Sequence, residues 1–352
     1  MLGLARLGVD VFWVDCVRPM DPRKHAHGLE YLAKRFDRMA EDFAFKGRYC
    51  IVCEKRDRYF GMTKTELRRL ARDTDLVVNL GGPLPESSVL MAARRRAYVD
   101  VDPGYTQLWA QEWDLSFDRH DLLFTVGQNV GGPGFAPPTD GREWIRILPP
   151  VVLEQWPARI DSECRRFSTV LDWRGSQQAK FNGRVYGGKR EEFLRYLRLP
   201  TETGQHFELA LCIGQHDHAD LGRLHRNGWR AWNSYLVAGD PHSYREFIQH
   251  SRCEFGVAKS GYVETRSGWI SDRTACYLAS GKPAIVQSTG FEERLPTGEG
   301  LLTFRTPSEA AACVREVEAD YLAHARAARR LAEEHFDSDK VLGSMLDAAG
   351  LR

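Results

Sequence analysis

The chain has 352 residues, 43% of them apolar, with 49 basic and 48 acidic side chains and a formal net charge of +1. That length suits two domains of ordinary size with a sizeable core, and near-neutrality speaks against a dedicated nucleic-acid or polybasic membrane binder. No apolar run is long enough for a membrane-spanning helix, no basic start followed by an apolar stretch opens the chain, and the eight cysteines are scattered, so a cytoplasmic protein with free thiols is expected.

Strand and helix signals alternate along the chain, which predicts an α/β protein with parallel sheets. In the first half the strands are Val9 to Val14, Tyr49 to Cys53, Leu76 to Leu80, Ala97 to Val101 and Leu122 to Thr125. Thr63 with Glu66 forms a capping box that opens a helix, and a second helix is expected from Glu86 to Arg95. Residues Gly131 to Arg142 are rich in Gly and Pro and read as loop. Pro149-Pro150 marks the expected domain boundary, giving an N-terminal domain 1–150. A second domain, 151–335, carries strands at Phe167 to Leu171, Phe207 to Ile213, Trp229 to Trp232, Glu254 to Val257, Ala284 to Val286 and Leu301 to Phe304. Helices are expected at Lys189 to Leu197, Pro241 to His250, after the Thr306-Pro307-Ser308-Glu309 capping box, and from Ala319 to His335. Residues 336–352 form a final short helix, expected to pack back on the N-terminal domain.

Residues Gly261 to Gly290 are the most informative stretch. Ser271 suits the N-cap of a helix with Asp272 in its first turn, Gly281 the left-handed position past its end, and Pro283 stops it. Ala284 to Val286 is an apolar run suited to a buried parallel strand. The helix start and the Ser288-Thr289-Gly290 turn would bring unpaired N–H groups together, a pattern that binds phosphate, with Lys259 and Arg273 beside them.

Ser267-Gly268-Trp269, Leu278-Ala279-Ser280-Gly281, Lys282-Pro283-Ala284-Ile285-Val286 and Ser288-Thr289-Gly290, followed by residues 295–302, occur in the order of the nucleotide-sugar signature of GT-B glycosyltransferases. The segment resembles that superfamily over about 55 residues. The resemblance implies two Rossmann-like domains facing a cleft, and a nucleoside-diphosphate sugar held mainly by the C-terminal one. It also implies metal-independent transfer of a hexose to a small-molecule or glycan hydroxyl. No cofactor is implied; the partners are the nucleotide sugar and an acceptor of unknown identity, with no nucleic acid. Retaining members carry a Glu where this chain has Cys276, so stereochemistry stays open. In such a domain a first strand would precede Val9 to Val14, so the N-terminal domain is expected to lack it. A nucleotide-sugar epimerase and a non-catalytic nucleotide- or glycan-binding relative are the alternatives.

The candidate nucleotide-binding residues are Arg174, Lys189, Lys259, Gly268, Trp269, Asp272, Arg273, Ser288, Thr289 and Gly290; the ordinary reading of each is a βα turn or a solvated charge. Arg174 follows a strand in Asp172-Trp173-Arg174-Gly175, and Lys189 opens a helix after Gly187-Gly188. Asp100 and Asp102 alternate onto one face of a strand end. Asp100 is the candidate general base, whereas Asp102 before Pro103 suits a helix cap. His216-Asp217-His218 with Asp220 lacks a partner set of metal-ligand spacing and reads as a loop with a cap. Trp229, Trp232 and Tyr235 either stack on a nucleobase or belong to the core.

Overall fold

The computed structural model describes residues 1–17, 28–53, 57–82, 91–175 and 178–352. It divides into two compact units: Met1–Val99 with Leu115–Phe124 and Leu342–Arg352, and Asp100–Asp114 with Thr125–Val341. Residues on both sides of Pro149-Pro150 therefore belong to the second unit. No helix among the described residues is long and apolar enough to cross a membrane.

In the first unit Trp13–Cys16 pairs in parallel with Tyr49–Cys53, and Arg58–Phe60 adds to it antiparallel. The first strand thus begins at Trp13, later than expected, and lies at an edge of this three-stranded sheet. A second set of strands places Arg95–Asp100 beside both Leu76–Leu80 and Leu122–Thr125. The helix Gly28–Asp42 was not anticipated; it sets Ala33, Phe36 and Ala40 against Tyr49 and Ile51. The Thr63 capping box is present, with Glu66 N 3.2 Å from Thr63 Oγ1 and Thr63 N 2.8 Å from Glu66 Oε2. Most of the helix expected from Glu86 to Arg95 lies outside the described residues, and Arg95 is already strand.

The second unit is built on six parallel strands: Arg166–Asp172, His206–Cys212, Trp229–Asn233, Cys253–Gly256, Ala284–Gln287 and Leu301–Phe304. Their order across the sheet is third, second, first, fourth, fifth, sixth. This is the doubly wound Rossmann order, and its reversal point falls between the first and fourth strands, where ligands of such sheets bind beyond the carboxyl ends. Aromatic packing fills one side of the sheet: Phe167, Phe193, Tyr196, Phe207, Trp229 and Phe255 are all buried. Trp229 is thus a core residue. Its Nε1–H donates to Leu197 O at 2.7 Å, which satisfies the one polar atom that burial would otherwise strand.

The Asp272–Ala279 helix starts and stops as expected. Ser271 Oγ accepts from Arg273 N at 3.2 Å. At the other end Gly281 has φ +67°, Gly281 N donates to Leu278 O and Lys282 N to Tyr277 O. That pair of bonds is a Schellman motif, which satisfies carbonyls the helix leaves open. The Thr306 capping box opens Pro307–Ala319. The single long helix expected from Ala319 is instead Tyr321–Leu331 followed by one wider turn over Ala332–Phe336.

Candidate functional site

At the reversal point three loops converge: residues 172–175 after the first strand, 187–189, and 257–260 after the fourth. Asp172 Oδ1 accepts from Arg174 N and Gly175 N at 3.2 and 3.1 Å, which tightens the first loop. A Cβ on Gly188 would lie 2.5 Å from Arg174 O, so only glycine lets the second loop approach the first. The Lys259 side chain crosses Gly175, its Cε 3.3 Å from where a Cβ would stand. Between the first two loops the chain forms a hairpin, Ala179–Phe181 with Arg184–Tyr186, turning through Asn182-Gly183.

The cations gathered here differ in what they hold. Arg174 grips Asp217 with a two-pronged fork, at 2.6 and 2.7 Å, and this pairing holds the Asp217 carboxyl below its usual range. Arg190 binds Asp220 at 2.6 and 3.2 Å, and Trp173 Nε1 donates to the same carboxylate at 3.0 Å. The acidic residues of the 216–220 stretch therefore anchor arginines. Arg273, expected to face a phosphate, turns inward: its Nε donates to the buried Glu254 at 2.6 Å and its Nη1 to Val170 O at 2.9 Å. Lys259 Nζ donates to Asp102 Oδ1 at 2.7 Å and sits 5.3 and 5.1 Å from the ring centres of Tyr105 and Tyr262. Tyr262 donates its hydroxyl to the same Asp102 oxygen.

Lys189 stands apart. It is half-buried, and among the described residues its ammonium has no hydrogen-bond or ion-pair partner. Burial first, and then the positive charges of Arg273 and Lys259, push its pKa down to about 7. An ammonium held in this way gains from a nearby anion both as a charge and as a desolvated donor.

Two main-chain donors of the expected anion cradle, Arg273 N and Ser288 N, are taken within the chain. Arg273 N is shared by the cap Ser271 Oγ and, at 2.9 Å, by the Asp272 carboxylate, which puts negative charge at the helix start where a phosphate was expected. Ser288 N closes the last rung of the parallel ladder to Phe304 O at 2.9 Å. The rest of the turn braces the site wall: Thr289 Oγ1 donates to Trp269 O at 2.6 Å, Gly268 N to Thr289 O at 2.8 Å, and Asn129 Nδ2 to Gly290 O at 2.9 Å. Gly268 has φ +70°, and a Cβ there would lie 2.7 Å from Asn129 N. Trp269 stacks on Tyr262 at 4.3 Å and lines a small cavity with Gly256, Arg273 and Gln287.

Asp100 is not placed to act as a base. It is 0% exposed, and it accepts from Thr106 Oγ1, Gln107 Nε2, Thr125 Oγ1 and Asp102 N at 2.6 to 3.0 Å. Burial raises its pKa to about 6 in spite of these donors. Asp102 does not cap the following helix through its side chain; only its carbonyl receives Thr106 N. The cage of Asp102, Tyr105 and Tyr262 around Lys259 was missed by sequence reasoning. Tyr105, Trp109 and Trp113 recur every four residues just after Asp102, and that was the available signal. Trp232 and Tyr235, 49% and 70% exposed, line a depression with Cys212, Ile213 and His218 beyond the second and third strands.

Residues 190–347 match a family model described as glycosyl transferase-like. No curated protein matches the chain by sequence. Among solved structures, an α-glucosyltransferase in complex with UDP-glucose and DNA containing an abasic site is 12% identical, with TM-score 0.57 over 97% of this chain and 100% of that one. HepE of Anabaena, in complex with UDP and glucose, is 12% identical with TM-score 0.59 over 96% and 100%. Sucrose-phosphate synthase of Thermosynechococcus elongatus is 9% identical with TM-score 0.53 over 94% and 79%. The chain has the GT-B fold, two Rossmann-like α/β domains, and the match to the glycosyl transferase-like model falls on residues 190–347.

Proposed function

We propose that this protein transfers a hexose from a nucleoside-diphosphate sugar to the hydroxyl of a small molecule or glycan. The observation that carries the proposal is the unpartnered Lys189 ammonium, set beside Lys259 and Arg273 at the reversal point of the second unit's sheet. Two of the relatives above were solved with UDP or UDP-glucose, and the same class of donor suits this site. As the bond between sugar and diphosphate breaks, negative charge collects on the leaving oxygens. Lys189, with Lys259 held in place by Asp102, is aimed at that charge without needing a metal. The exposed Trp232 and Tyr235 rings offer the nucleobase a stacking surface. Cys276, in the position of the ribose-gripping Glu, has a thiol that burial holds well above its usual pKa, so it supplies no anion for the ribose. A cytoplasmic location is supported by the eight free cysteines, and a substrate other than nucleic acid by the net charge of +1.

Calorimetric titration with UDP, GDP and UDP-glucose tests the donor site. At least one should bind, and Lys189→Met should weaken it roughly tenfold or more. Equal affinity in parent and variant refutes the assignment. Chromatographic assay of donor turnover, with and without added acceptors, then separates transferase from epimerase and from a non-catalytic binder.

A further inference from the structure

A line of aromatic rings runs through the second unit, and its outer pair, Trp109 and Trp113, is not used by the donor site. Trp113 and Trp109 lie 6.3 Å apart with their planes 23° from parallel, Trp109 and Tyr105 5.5 Å apart, Tyr105 and Tyr262 5.3 Å apart edge to face, and Tyr262 and Trp269 4.3 Å apart face to face. The outer three are spaced four residues apart on successive helical turns: Tyr105–Trp109 is helical and Trp113 N donates to Trp109 O at 2.8 Å. The two tyrosines are buried and flank Lys259. Trp109 is half-buried and Trp113 is 48% exposed, a large apolar ring left in water.

We propose that Trp113 and Trp109 form a platform for a neutral oligosaccharide acceptor; this rests on the sugar-transfer reading above. A pyranose ring presents a face of C–H groups to an indole and a rim of hydroxyls to polar neighbours. The neighbours suit such a rim: Gln111 donates to Asp140 at 3.0 Å, Trp109 Nε1 donates to Gln178 O at 3.4 Å, and Glu112 and Asp114 are exposed on either side of Trp113. Asp140 is paired with Arg142 at 3.4 Å, and the exposed Glu112 and Asp114 that flank Trp113 repel phosphate-rich strands and anionic lipid surfaces alike. That leaves uncharged, hydroxyl-rich ligands as the class for which both the rings and the charges are complementary.

The test is binding of the intact chain to an array of neutral and anionic oligosaccharides, followed by tryptophan-fluorescence titration with the neutral glycan retained best. The expected result is retention of a neutral glycan, a loss of roughly tenfold in affinity for Trp113→Ala, and recovery of most of it in Trp113→Tyr. Melting temperature serves as the folding control. The proposal is overturned if no neutral glycan is retained, if anionic glycans are preferred, or if Trp113→Ala binds as well as the parent. Trp113-dependent glycan binding in a chain that binds no nucleotide would support the platform and remove the donor assignment.

Discussion

Replacing Lys189 by Met should change how nucleotide affinity depends on pH, and the size of the effect follows from the site. In the empty site the Lys189 pKa is about 7, lowered by burial and by Arg273 and Lys259. A bound diphosphate counters both causes and returns the amine toward the ordinary lysine range, ~10.4. Below pH 7 the free protein already carries the proton, so affinity is at its highest. Above pH 7 each binding event must take up a proton, and affinity falls about tenfold per pH unit until the bound-state pKa is reached. Between pH 7.5 and 9 this amounts to roughly 25-fold, close to ~2 kcal/mol. At pH 8 binding should take up about 0.9 proton, by the same linkage. Calorimetry of UDP in two buffers of different ionisation enthalpy reads the proton directly, and this range lies above the titration of UDP's own phosphate. The Met variant should bind more weakly and with a nearly flat profile. A flat profile in the parent, or the same slope in both proteins, refutes the reasoning.

Two further outcomes concern stability. Lys282 is 0% exposed, its amine has no hydrogen-bond partner, and burial lowers its pKa to about 8. Its folded pKa lies below its unfolded one, so the parent should gain stability as pH rises from 8 toward 10.5, whereas Lys282→Met should be more stable by about 2–3 kcal/mol at neutral pH and lack that rise. Urea unfolding at pH 7 and pH 10 checks both, and a destabilised variant contradicts the argument. Arg273→Ala should cost about 3–5 kcal/mol, because it leaves the Glu254 carboxylate buried and unpaired. Loss of nucleotide affinity at unchanged melting temperature would instead return Arg273 to the binding site.

Where local chemistry decides structure, the amino-acid order was enough. Thr63 with Glu66, Thr306 with Glu309, and Ser271 each cap the helix they were expected to cap, and Gly281 and Pro283 end one. Each of these bonds spans a few residues and depends on one side chain. The Ala284–Gln287 strand was legible for a related reason, since a parallel strand buried on both faces is an apolar run, whereas the edge strand Trp229–Asn233 is mostly exposed. The hairpin through Asn182-Gly183 is equally local, an Asn-Gly turn between two three-residue strands.

Which charges are free to meet a ligand was not legible in this way. Arg174, Lys189, Lys259 and Arg273 look alike in sequence, yet Asp217, Asp102 and Glu254 occupy three of them across separations of 43, 157 and 19 residues. Asp100 and Asp102 share one strand face by alternation, but only the fold surrounds Asp100 with Thr106, Gln107 and Thr125 and leaves Asp102 to Lys259. Short-range order specified many of the helices and strands, because caps, turns and apolar periods act over a few residues, and the order of strands across the sheet came only with folding. Tertiary structure left Lys189, alone of these four and among the described residues, without a pairing carboxylate, because pairing and desolvation are set by groups that the chain brings together only on folding.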